Sequence, residues 1–180
     1  MSNQQDIIRD ILNDVRVEVL DEFDKNFERK GFFESKTWQK AKNSDPRGSL
    51  MMRTGKLRKS IRAEVTDNSV VFKSSKPYAN IHNEGGEIMV TEQMKKFFWA
   101  KYYEHSGKVK TTSKGIAKST QKHNAQAKYY KSLALMKVGS KMTIPKRQFI
   151  GDHPQITKHV ETIVSKHLET LFKDFLKPKK

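Results

Sequence analysis

The sequence predicts an α+β domain in which a single antiparallel sheet packs against two long helices, one near each end of the chain. Three observations carry this. Apolar residues recur at three- and four-residue spacing over residues 4–29 and again from Ile156 to Phe175. Between these stretches the spacing switches to alternation. The first two alternating runs are joined by a connection too short for a parallel crossover, and the strands are read as antiparallel.

The N-terminal helix is read from Ile8, Ile11, Leu12, Val15, Val19, Phe23 and Phe27, which share one face, with Gly31 as its stop. Residues 31–53 read as irregular. Asn43 to Gly48 cluster turn formers, and Trp38 is the apolar anchor of the loop. A short helical turn starts at Thr54-Gly55 and runs through Leu57. Ile61, Ala63 and Val65 alternate with Arg62 and Glu64, Asp67-Asn68-Ser69 supplies a turn, and Val70 to Lys73 forms the return strand of a hairpin. Pro77 opens a turn carrying Tyr78, Ala79, Ile81 and His82, broken by Gly85-Gly86. Residues 87–91 give a third strand and 142–144 a fourth, stopped by Pro145. One sheet is expected from about 61–66, 70–74, 87–91 and 141–144. Its core is expected to combine Leu57, Ile61, Tyr78, Ile81 and Phe149 with the apolar faces of both long helices.

Between the third and fourth strands the pattern departs from the rest. Helices are expected over 92–104 and 125–138. Residues 106–124 have no apolar period and read as a mobile loop. The whole of 1–180 is therefore read as one domain with a basic insertion at about 92–141.

Charge is distributed as unevenly as apolarity. The net charge is +16, yet residues 1–30 hold eight acids against five bases. Residues 101–141 hold ten lysines and a single acid, Glu104. Lys108, Lys110, Lys114, Lys118 and Lys122 crowd the apolar-poor loop. The chain has no cysteine, which excludes disulfides, thiolate metal sites and cysteine nucleophiles. No apolar run approaches the roughly 18 residues of a membrane span, and the first ten residues carry no signal-peptide pattern. The expectation is a soluble protein made in the cytoplasm.

Three short blocks carry a family resemblance. Thr54-Gly55-Lys56-Leu57-Arg58-Lys59-Ser60-Ile61 matches a TG-x-L-x-x-SI pattern. Tyr78-Ala79-Asn80-Ile81-His82-Asn83-Glu84-Gly85-Gly86 matches YA-x-x-H-x-x-G. Ile144-Pro145-Lys146-Arg147-Gln148-Phe149-Ile150-Gly151 matches IP-x-R-x-F-[LI]-G. With a helix before them and another after, these blocks resemble the phage virion-morphogenesis (tail-completion, head-tail joining) family over roughly residues 1–91 and 142–175. The segment 92–141 departs from that pattern.

The resemblance implies a structural part of a tailed bacteriophage or prophage. Such a part completes the tail and supports head-tail joining as a subunit of a ring, six copies being the suggested number. It implies other tail and neck proteins as partners, and the virion neck or tail end as the final location, after assembly in the host cytoplasm. The motif residues Thr54, Gly55, Leu57, Ser60, Ile61, Tyr78, Ala79, His82, Gly85, Gly86, Pro145, Arg147, Phe149 and Gly151 then become the candidate scaffold and interface.

Read by themselves, the same blocks ask for no chemistry. Leu57 and Ile61 can dock a turn, Gly85-Gly86 allows positive φ, and Phe149 can anchor while Arg147 faces out. No GxGxxG, P-loop, GxSxG or HExxH string is present. His82 has only Glu84 nearby, too few ligands for zinc. His153, His159 and His167 lie in or near the last helix with no acidic partner completing a metal motif, and read as solvated or interfacial. No enzyme, catalytic residue, cofactor or metal is expected. The alternative function is a basic nucleic-acid-binding module, with Tyr102, Tyr103, Tyr129 and Tyr130 flanking the lysines. Arginine, the better bidentate reader of phosphate, is absent from 101–141. That favours a solvated insertion touching an acidic neighbouring subunit.

Overall fold

The computed structural model describes residues 2–34, 36–40, 50–117 and 120–176. Its elements are α1 (Ser2–Arg29), β1 (Gly31–Phe32), β2 (Lys36–Thr37), a 3-10 turn (Arg58–Ser60), β3 (Ile61–Val65) and β4 (Val70–Ser74). There follow α2 (Ala79–Glu84), β5 (Gly86–Met89), α3 (Glu92–Ser106), β6 (Thr111–Thr112), β7 (Gly115–Ile116), α4 (Gln121–Ala134), β8 (Lys141–Ile144) and α5 (Pro154–Phe175). The fold is α+β, with long helices at both ends and only antiparallel strand pairs. The turn formers Asn43 to Gly48 lie outside the described residues, as does Lys118.

The strands do not join into one sheet. Among the described residues they form separate two-stranded ladders: β1 with β2, β3 with β4, β5 with β8, and β6 with β7. The hairpin β3–β4 runs from Ile61 opposite Ser74 to Val65 opposite Val70, closed by Thr66 and Ser69. The ladder β5–β8 runs from Gly86 opposite Ile144 to Met89 opposite Lys141. Sequence alternation identifies strands one at a time. It says nothing of which edges meet, and the expected four-stranded sheet is replaced by separate ladders.

The chain divides into two compact units. One comprises Met1–Lys40, Pro46–Gly85 and Pro145–Lys180; the other is centred on Gly86–Ile144. In the first unit, α1 packs on the β3–β4 hairpin and against α5. Two apolar clusters lie along α1. Phe27 meets Trp38, Leu57, Ile61, Ala79 and Phe149. Val15, Val19 and Phe23 meet Phe32 and Phe33, with Phe72 of β4 and Ile156, Val160 and Ile163 of α5 against them. Phe23 is edge-on to Phe72 at 5.2 Å, an arrangement that suits the ring quadrupoles. The helix ends at Arg29, as expected, and Lys30, ahead of Gly31, takes the left-handed position (φ 55°).

Two expected core assignments need correction. Tyr78 is 42% exposed, and Ala79 takes the inward position beside Phe149. The small turn is a one-and-a-half-turn helix, so the inward face falls one residue later than expected. The apolar stripe of α5 is also only partly covered. Leu168, Leu171, Phe172 and Phe175 are exposed, Phe175 by 87%. Pairs Glu18–His159 and Asp14–His167 show that α5 runs antiparallel to α1. Its last turns lie beside the start of α1, where Ile8 is exposed too.

The second unit is built on the helical pair α3 and α4. The stretch expected to be a loop holds the β6–β7 hairpin and the first turn of α4. Thr120 fastens this hairpin: its hydroxyl accepts from the Lys110 amide at 3.2 Å and donates to the Ala117 carbonyl at 3.0 Å. Local turn chemistry, rather than apolar period, orders these residues.

Candidate functional site

The three motif blocks come together in the first unit. Their meeting point is the extended stretch 145–151, which has no strand partner. Its backbone polar groups are served mostly by side chains, as buried amides and carbonyls require. Asn83, buried at the end of α2, accepts from the amides of Phe149 (2.9 Å) and Ile150 (3.1 Å) through one oxygen. Asn26, fully buried on α1, donates to the Phe149 carbonyl at 3.2 Å and accepts from the Phe33 amide at 2.7 Å. The Trp38 indole donates to the Gln148 carbonyl at 2.8 Å. The Arg147 amide donates to the His82 carbonyl at 2.8 Å.

Leu57 and Ile61 of the first block are buried in the same cluster as Phe149. Ser60 is buried between them, donating to the Leu57 carbonyl at 2.6 Å and sharing a hydrogen bond of 2.7 Å with Ser74. Arg58 lays its fork on Asp24 and reaches Glu28 at 2.8 Å. The bidentate pair ties this block to α1. Gly55 takes positive φ ahead of the turn, Thr54 is exposed, and Gly85 (φ 73°) ends α2 where a side chain would be strained. Gly86 opens β5 and Pro145 follows β8. Gly151 has φ 136°, and a side chain there would also strike Gln148 at 2.7 Å.

Arg147 is buried rather than turned outward, and its Nε donates to the Gln39 carbonyl at 3.1 Å. His82 lies near it. Burial, then the Arg147 charge, push the His82 imidazole below its ordinary pKa. Its Nδ1 is buried and has no hydrogen-bond partner. The ring is half-buried, with Tyr78 edge-on at 6.1 Å.

The other histidines have structural partners. His153 stacks on Phe33 at 4.2 Å and accepts from the Gln155 amide, capping α5. His159 and His167 meet Glu18 and Asp14 of α1, pairings the linear sequence hid. Among the described residues, one set offers three ligand atoms within 4.8 Å: Glu18, Glu22 and His159. Glu22 is already held by Lys25 (2.8 Å) and Arg29 (2.9 Å), which neutralise it.

Of the fourteen motif residues, Leu57, Ser60, Ile61, Ala79, Arg147 and Phe149 are buried; Thr54, Tyr78, Gly86 and Gly151 are exposed; Gly55, His82, Gly85 and Pro145 lie between. Asn26 and Asn83, the two latches, were missed as site residues. Asn26 did leave a signal, since it sits at helical spacing between the apolar positions Val19, Phe23 and Phe27. In the second unit, Lys108 pairs with Glu104, whose carboxyl is pushed down to about 2 by its hydrogen bonds to Lys101 and Lys108. Lys110, Lys114 and Lys122 are exposed along the hairpin and the start of α4.

Among the described residues, no helix is long and apolar enough to cross a membrane. Neither the curated proteins nor the solved structures contain a match to the chain. A family model does match, over residues 30–169, and it spans all three converging blocks. The chain accordingly belongs to the phage virion morphogenesis family, a family of structural and assembly proteins.

Proposed function

We propose that this protein completes the phage tail and supports its joining to the head, acting as one subunit of a ring and turning over no substrate. The observation that carries this is the family match across the latched blocks. Two features support it. The motif residues are spent on hydrogen bonds and packing that fix one chain path, which suits an interlocking part. The exposed apolar end of α5 is of the kind that contacts between copies cover. A ring of copies would bury such a face through head-to-tail contacts.

Electron microscopy of particles made without this gene tests the proposal. Filled heads and separate tails are expected. Joined particles of normal infectivity would overturn it.

A further inference from the structure

We infer that α3 carries a binding ledge for single-stranded nucleic acid, formed by Trp99, Tyr102 and Tyr103 with Lys95, Lys96 and Lys131 around them. This goes beyond the assembly role and rests on the chemistry of the second unit alone.

The ledge begins with spacing. Residues 99, 102 and 103 stand three and four apart and share one helix face. The Trp99 and Tyr103 rings are near parallel, 26° apart with centroids at 5.9 Å, and Tyr102 adjoins both at 5.6 and 5.1 Å. Tyr103 is 65% exposed and Trp99 and Tyr102 are half-buried. The group is thus a surface feature and not a core that happens to reach solvent. Lys95 and Lys96 lie one turn before Trp99, and the Lys131 ammonium from α4 stands 5.8 Å from the Tyr102 ring centre.

The charge selects the ligand. Residues 86–144 contain twelve lysines and three glutamates. Glu87 and Glu104 are engaged by Lys141, Lys101 and Lys108. No described carboxylate pairs with Lys95, Lys96 or Lys131. A polyanion with flat, unpaired aromatic groups satisfies both halves of the ledge: phosphates meet the ammonium groups, and bases stack on the rings. In a duplex the bases are already stacked, so only the charge would act. The absence of arginine from this unit leaves nothing suited to bidentate readout of base edges. Binding should therefore be indifferent to sequence.

The test uses the full-length protein and a fluorescently labelled thymidine homo-oligomer, followed by anisotropy and by tryptophan emission. Trp38 is buried in the first unit, so quenching on addition reports Trp99. Expected are quenching that Trp99→Phe abolishes, and affinity weakened roughly five- to hundredfold by Tyr103→Ala. Tyr103 is exposed, so this variant folds even if changes at Trp99 do not. The fall of log affinity with log salt should become shallower by about 0.7 for each of Lys96→Gln and Lys131→Gln. Binding of duplex as tight as single strand, with Tyr103→Ala unchanged, would overturn the ledge. So would an absence of quenching, or equal competition by polyglutamate, which would assign the surface to an acidic protein partner.

Discussion

A single oxygen of Asn83 accepts from the backbone amides of two consecutive residues, Phe149 at 2.9 Å and Ile150 at 3.1 Å, across 66 positions of sequence. Removing it strands two donors next to the core. Asn83→Ala should cost about 2–6 kcal/mol, from about 1–3 kcal/mol for each of the two amides left without an acceptor. Asn83→Asp, which keeps an acceptor but faces Glu84, should fall between. Urea denaturation of the three proteins checks this, and equal midpoints would show that water replaces the latch.

Phe149 has no exposed surface and packs against Phe27 with ring centres 5.2 Å apart. Phe149→Ala should lower stability by about 3–5 kcal/mol. Tyr78→Ala, at an exposed neighbour of His82, should cost less than about 1 kcal/mol. Thermal melts of the two variants should differ plainly. Similar losses would mean that Tyr78 belongs to the core after all.

His82 should give the fold a pH dependence whose sign follows from its surroundings. Its folded pKa lies below the ordinary value of about 6.5, because burial and Arg147 disfavour the cation. From that value downward the unfolded chain takes up a proton that the folded chain resists, so stability falls with pH. The loss is complete once the folded pKa is passed. His82→Gln should flatten this part of the profile. The measurement is the urea midpoint between about pH 7.5 and pH 5. Identical slopes in both proteins would remove His82 as the cause.

The ladder pairing of Gly86 with Ile144 brings the two ends of the lysine-rich unit side by side. We read that unit, Gly86–Ile144, as the insertion, its limits wider than the 92–141 at which the sequence departs from the family resemblance. Replacing residues 87–143 by a short glycine-rich turn should leave the first unit with a cooperative transition and a buried Trp38. Loss of the transition in Trp38 emission would show that the excursion is part of the same core.

Much of this was legible because it repeats. The Val15, Val19, Phe23, Phe27 stripe announces α1, and Ile61, Ala63, Val65 announces β3. What repetition cannot announce is a contact made once. The Asn83 and Asn26 latches depend on a stretch 66 and 123 positions away, and asparagine on a helix is otherwise unremarked. The partial exposure of α5 was hidden for the same reason. A helical stripe from Ile156 to Phe175 says where an apolar face is, not how far its cover extends. The β6–β7 hairpin was invisible to period altogether, since Thr111-Thr112 and Gly115-Ile116 are too short to show one.

The bond from Asn26 to the Phe149 carbonyl spans 123 residues. At a synthesis rate of about 5–20 residues per second, the ribosome needs roughly 6–25 s to make that interval. For all of it, Phe27 on the first helix awaits the Phe149 ring that packs against it. The nascent chain therefore carries an incompletely covered apolar helix while residues 75–148 are being made. Loop closure over such a distance comes late in folding. Slowing translation near the 3′ end of the message should raise the fraction captured by host chaperones.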